Sequence, residues 1–243
     1  MHRSFQRLRL VISAPRLLPH ICLLLASDNR EIIQDDIDYW SETLCLKDPR
    51  HDSHRIRLFL LLMTFQPEFR NLFYLRTGKA AWPFRWMCPP LSSLKIDVPH
   101  IGPRLFIQHG DSTFISAESI GANCWIGRHI VIGYSNATDC PTIGNNVRIF
   151  PGARIIGKVY VGDNSTIGLN TVVLDNVPPG VTLLGVPGRS LGSFQRPPGR
   201  RDTALPPIDC TQAANRCADA EPVTSSPLSP AVNSPPSSTL GPS

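Results

Sequence analysis

Apolar residues recur at every sixth position through the middle of the chain, a period that belongs to neither a helix nor an ordinary strand. Six-residue repeats are typical of a β-helix, in which each repeat forms one flat face and stacked coils bury a core that no single coil could bury. Three such faces close a prism, with about eighteen residues in each coil. The positions that follow the repeat are Ile120, Ile126, Ile132, Ile143, Ile149, Ile155, Val161, Ile167 and Val173.

The repeat is interrupted at two places. Between Ile132 and Ile143 the step is eleven residues, so five extra residues in the stretch YSNATDCPT must leave the prism as a loop. Earlier, Ile107 and Phe114 are seven residues apart, which predicts a one-residue bulge that turns His109 outward into a groove. The simpler alternative for His109 is a solvated histidine at the corner of a coil.

Changes in composition and periodicity divide the chain into five parts and predict an α+β fold, with helices before the β-helix. The first part has prolines that cut its apolar stretch too short for a secretory signal, and the last part has too few large apolar residues to fold. The predicted parts are a disordered extension (1–27), a helical domain (28–78), a connector (79–95), a β-helix domain (96–192) and a disordered Pro/Ser-rich tail (193–243).

Overall composition argues against several classes of protein. The net charge of +5 is modest, and no cluster of Lys and Arg is interleaved with aromatic residues, so nucleic-acid binding is not expected. The apolar stretch near the N-terminus is too short to span a membrane. The seven cysteines lack C-x-x-C spacing, which favours reduced thiols in a cytoplasmic protein over disulfides or a metal site.

Several motifs resemble the serine O-acetyltransferase family of hexapeptide-repeat acyltransferases, especially members associated with polysaccharide genes. The resemblance implies a left-handed parallel β-helix that assembles as a homotrimer or a dimer of trimers. It also implies acetyl-CoA as co-substrate and direct transfer of the acetyl group to L-serine, a step of cysteine biosynthesis. The motifs are PEFRNLFYLR, IGPRLFIQHG, ISAE, YSNATDCPTIG and VPPGVTLLGVPGR.

The resemblance places His109 at the family's catalytic histidine. Imidazole titrates near neutral pH and can therefore take the proton of a hydroxyl as its oxygen attacks a thioester. Asp97 corresponds to the aspartate that pairs with this histidine, although it stands about three residues closer to it than the family pattern does. Asp111 and Glu118 are alternative partners.

The expected acceptor site departs from the family pattern at Gln108, Asp139 and Cys140, where serine enzymes have Asp, Arg and His. An Arg can bind a substrate carboxylate, whereas Asp139 would repel one. This departure counts against L-serine and leaves a sugar hydroxyl of a surface polysaccharide as an alternative acceptor. His129 is a further candidate for the same groove, or a solvated corner residue.

The resemblance also implies a groove for acetyl-CoA between neighbouring prisms. Small residues let the extended pantetheine arm approach the backbone, and basic side chains suit its phosphates. Two classes without acyl transfer stay open: a non-catalytic assembly protein, and a hydratase whose metal would need several convergent histidines. The expected acetyl-CoA residues are Gly152, Ala153, Lys158, Asn170, Thr171 and Arg189.

Overall fold

A computed structural model describes residues 15–46 and 52–190, and its first part is helical. None of the helices within these described residues is both long and apolar enough to cross a membrane. Pro67 begins the last α-helix, where the backbone of the first turn needs no N–H donor. The elements are α1 (15–26), α2 (Arg30–Thr43), α3 (Asp52–Phe65), α4 (Pro67–Thr77) and a 3₁₀ helix (Gly78–Phe84).

The expected disorder of residues 1–27 does not hold for residues 15–26, which form α1. Leu17, His20 and Leu24 are buried along one face of this helix. His20 Nε2 lies 2.9 Å from the hydroxyl oxygen of Tyr74 on α4, so the helix is fixed by partners more than fifty residues away. Local sequence carries no sign of those partners. Residues 1–14 and the predicted tail from residue 193 lie outside the described residues.

The second part is a parallel β-solenoid of about five coils, and each of the first four coils contributes one strand to each of three sheets. In the fifth coil, an isolated bridge between Val177 and Val161 takes the place of a sheet B strand. Sheet A contains β1 (Leu94–Asp97), β4 (Thr113–Ser116), β7 (Val131–Gly133), β10 (Arg154–Ile156) and β13 (Val172–Val173). Sheet B contains β2 (His100–Ile101), β5 (Ser119–Ile120), β8 (Thr142–Ile143) and β11 (Tyr160–Val161). Sheet C contains β3 (Phe106–Ile107), β6 (Trp125–Ile126), β9 (Arg148–Ile149), β12 (Thr166–Ile167), β14 (Thr182–Leu184) and the antiparallel β15 (Arg189–Ser190).

The predicted repeat positions form the core of this solenoid. All nine are at most 2% exposed, and residues of successive coils stack in register, as Ile132 does on Ile155. At the corner between sheets B and C the chain turns through Asn123, Asn146 and Asn164, each with positive φ. Asparagine tolerates this left-handed conformation better than most residues. The predicted fold class, helices followed by a parallel β-helix, is confirmed.

The early slip in the repeat involves two residues, and the predicted one-residue bulge ending at Phe114 is wrong. Ile107 pairs with Ile126, and Ile115 pairs with Ile132. Ile115 is therefore eight residues after Ile107, whereas their partners in the next coil are six residues apart. The two residues inserted between the sheets are His109 and Gly110. Phe114 is 45% exposed because it points outward, and Ile115 is the buried residue of that strand.

The helices pack on sheet C through aromatic side chains. The Trp40 ring lies 4.5 Å from the Phe106 ring and 5.5 Å from the Phe69 ring, centroid to centroid. Its indole Nε1–H donates a 2.8 Å hydrogen bond to the Leu105 carbonyl. Asp36 adds a second link, because its carboxylate accepts the backbone N–H of Arg104 at 2.7 Å. Both links end on the coil that carries the His109 insertion.

One stability prediction concerns the thiol of Cys124 inside the solenoid. Burial raises the pKa of this thiol from 9.0 to about 11. Above pH 9 an unfolded chain would lose this proton while the native protein keeps it, so the free energy of unfolding should fall as the pH rises towards 11. The loss is at most about 3 kcal/mol. Urea unfolding across this window should show a shallower decline for Cys124→Ala, and equal declines for both proteins would contradict the prediction.

Candidate active site

His109 is exposed in the two-residue insertion at the corner where the chain passes from sheet C to sheet A, hereafter the C–A corner. Its φ is 52°, a left-handed conformation that is uncommon for residues other than glycine and is held only by surrounding structure. The carbonyl of His109 accepts the N–H of Asp111 at 2.8 Å. The carbonyl of Asp111 in turn accepts the N–H of His129 in the next coil at 3.0 Å.

Corner residues of later coils that are exposed or half-buried continue in a row from His129. The N–H of Gly152 donates to the Arg128 carbonyl at 3.1 Å, and the N–H of Asn170 donates to the Pro151 carbonyl at 3.1 Å. Neighbouring strands are about 4.8 Å apart, so Gly152 lies about 10 Å and Asn170 about 15 Å along the prism from the insertion. The residues at the C–A corner therefore form a straight row from His109 to Asn170, hereafter the C–A track.

Three of the predicted acetyl-CoA residues have structural roles at this corner. Ala153 and Thr171 are fully buried, and their carbonyls accept the N–H groups of Val131 and Arg154. Gly152 has a φ of 80°, and an added Cβ would collide with the side-chain oxygen of Asn170. A ligand on this track would thus meet the backbone of Gly152 and the exposed Asn170, and not the side chains of Ala153 and Thr171.

Four of the other predicted residues, Asp97, Asp139, Cys140 and Lys158, lie at the opposite ends of the sheet A strands, at the A–B corner. Asp97 ends β1 there, and Cys140 and Lys158 line a cavity of about 380 Å³ with Tyr134. The pKa of Tyr134 is raised, first by its hydrogen bond with Cys140 and less strongly by the charge of Asp97. Arg189 lies apart from both groups: it is exposed on β15, opposite Leu184 at the far end of sheet C.

The predicted pairing of Asp97 with His109 is not made within one chain. Gly110 packs beside Leu94 at the start of β1, and Asp97 ends the same strand about 10 Å further on. No hydrogen bond or ion pair joins Asp97 to His109 within residues 15–46 and 52–190. The sequence placed both residues near the entrance of the β-helix, but it did not show that the strand would direct them to different corners.

Asp139 organises the inserted loop. Its carboxylate accepts the amide of Asn136 at 2.7 Å and the hydroxyl of Ser135 at 3.2 Å. The side-chain oxygen of Asn136 accepts the backbone N–H groups of Thr138 and Asp139 in return. The acidic group that seemed to oppose a substrate carboxylate is therefore already bonded inside its own loop.

Two residues near the candidate site were not predicted from the sequence. Glu68 of α4 reaches the His109 insertion, and Tyr134 contacts Cys140 at the A–B corner. Tyr134 could have been suspected because it opens the inserted loop. Glu68 stands in the PEFRNLFYLR motif, but nothing in a helical segment indicates which distant backbone group its carboxylate meets.

Comparisons with known proteins point to one family. Residues 140–175 match the family described as bacterial transferase hexapeptide (six repeats). A serine acetyltransferase of Mycobacterium tuberculosis is 36% identical over 103 residues, which are 41% of this chain and 45% of that protein. The serine acetyltransferase of Staphylococcus aureus is 38% identical over 97 residues, 36% of this chain and 43% of that protein. The matched stretch of this chain is therefore similar to serine acetyltransferases.

Solved structures of serine acetyltransferases share the fold of this chain. The Neisseria gonorrhoeae serine acetyltransferase superposes with a TM-score of 0.55 at 22% identity, covering 72% of this chain and 70% of that one. The Brucella abortus enzyme in complex with coenzyme A gives a TM-score of 0.53 at 22% identity, with 72% of each chain covered. The matched part spans less than half the length of the two curated relatives named above.

Proposed function

We propose that this protein is an acetyl-CoA-dependent O-acetyltransferase whose acceptor is L-serine. The observation that carries the proposal is the placement of His109, an exposed imidazole on a structured insertion at the start of the C–A track. The family relatives are serine acetyltransferases, and a gonococcal member has been solved with serine bound.

In the proposed reaction, the His109 imidazole takes the proton of the serine hydroxyl while that oxygen attacks the acetyl carbonyl. The carbon–sulfur bond of the thioester breaks, and the departing thiolate of CoA takes the proton from the imidazolium. Such general-base assistance contributes about 10²–10⁴ in rate. Holding the hydroxyl and the thioester in contact supplies a further part of the acceleration.

Acetyl-CoA is proposed to lie along the C–A track with its thioester at His109. Its pantetheine arm would pass Gly152 and Asn170, where the corner is open and the backbone is accessible. Arg189 is proposed to meet the phosphates. Lys158 lies at the A–B corner of the same chain, so it could serve this donor only from a neighbouring subunit.

The division of the predicted residues between two corners favours a ring of subunits. In a threefold ring, the C–A corner of one chain can face the A–B corner of the next, which is a heterologous contact that closes. The outer face of sheet A between these corners exposes Phe114 and Leu174, at 45% and 57%. We therefore propose that the protein is a trimer or a dimer of trimers, with Asp97 of one chain facing His109 of its neighbour.

The proposed acceptor is tested by thiol release from acetyl-CoA with a panel of hydroxyl compounds. L-Serine should give the fastest release, ahead of D-serine, amino sugars and hexoses. A faster rate with a sugar would replace serine as the acceptor while leaving acetyl transfer in place. No acceptor-dependent release from any member of the panel would support a non-catalytic assembly protein.

A further inference from the structure

Glu68 is a buried carboxylate that reaches from the helical domain to the His109 insertion. It stands in the first turn of α4 and is only 7% exposed. Its Oε1 accepts the backbone N–H of Gly110 at 3.2 Å. Gly110, the residue after His109, is itself buried. Its N–H therefore depends on Glu68 for a partner, since buried backbone donors are costly to leave unpaired.

Gly110 fits closely into its surroundings. A Cβ at this position would come within 3.0 Å of Leu94 Cδ2 and within 3.2 Å of Glu68 Cγ and Ile107 Cγ2. The side chains of α4, β1 and β3 thus form a cradle around the second residue of the insertion. His109, the first residue, is exposed. The insertion has one end fixed in the protein and the other presented to solvent.

From this geometry we infer that Glu68 is a positioning residue for His109, through the N–H of Gly110. The inference rests on the proposed function, because it assigns Glu68 to the reaction that His109 performs. Without the carboxylate, the buried N–H of Gly110 would lack an acceptor. The insertion would then move so that water could accept a hydrogen bond from this N–H. A displacement of about 1 Å in a catalytic group can cost about a hundredfold in rate.

Glu68→Ala should therefore lower kcat by about 10- to 100-fold with little change in the KM for acetyl-CoA, since the track beyond His129 is untouched. Glu68→Gln should stay near wild type, because an amide oxygen can accept the same bond. Asp36→Ala is the matched control. Asp36 is also a buried helix carboxylate that accepts backbone N–H groups of the first coil, at Arg104 and Leu105, but away from the insertion.

The rate of backbone amide hydrogen exchange in residues 107–113 tests the inference without a measurement of enzyme activity. Glu68→Ala should exchange faster there than wild type and Glu68→Gln, whereas Asp36→Ala should not. The inference is overturned if exchange in this segment is unchanged in Glu68→Ala. It is also overturned if Glu68→Ala lowers kcat no more than Asp36→Ala does when the two variants lose the same free energy of unfolding. Absence of acetyl transfer by the wild type would refute the proposed function, and the exchange result would still decide whether Glu68 holds the insertion.

Discussion

His109→Ala should lower kcat for acetyl transfer by about a hundredfold or more, because the serine hydroxyl would lose the base that accepts its proton. Thiol release from acetyl-CoA measures the effect directly. The fold should survive, since His109 is exposed and Gly110 keeps its bond to Glu68. His109→Asn is a useful second variant, because asparagine tolerates the positive φ at this position but cannot act as a base at neutral pH.

His129→Ala is the matched control for this prediction. His129 is an exposed histidine of the same corner, one coil away, and it also has positive φ. We expect it to lose less activity than either His109 variant. A rate near that of wild type for His109→Ala would remove this residue from the mechanism, and a larger loss for His129→Ala would move the base to the next coil.

Trp40→Ala should lower the free energy of unfolding by about 3–5 kcal/mol, the range for removing a large buried aromatic side chain. The ring is 1% exposed and packs on Phe69 and Phe106, and its N–H bond to Leu105 would also be lost. Denaturant unfolding measures the change. Trp40→Phe keeps most of the packing and loses the hydrogen bond, so it should cost about 1 kcal/mol. A small effect of Trp40→Ala would mean that the helices contribute little to the stability of the first coil.

The regular part of the fold could be predicted because its information is local. In a prism each face repeats the same six-residue pattern, so buried positions such as Ile149 and Ile167 follow from spacing alone. The inserted loop was predicted by the same logic, since extra residues between two core positions must leave the wall. Family motifs then singled out His109 within an irregular stretch.

The rest depended on contacts between distant parts of the chain. The first coils have steps of five, six and eight residues, so spacing could not show that Ile115, and not Phe114, returns to the core. Helix α1 is held by Tyr74, and the insertion is held by Glu68. Asp97 and His109 lie at opposite ends of the strands of sheet A. Their spacing of twelve residues in the sequence does not reveal this separation.

The proposed reaction is tested most directly by following an isotopically labelled acetyl group from acetyl-CoA. Mass spectrometry of reactions with L-serine should find labelled O-acetylserine with the wild type and at least a hundredfold less with His109→Ala. Labelled ester formed equally by both proteins would contradict the role of His109. Thiol release by the wild type without any labelled serine ester would contradict the proposed reaction itself.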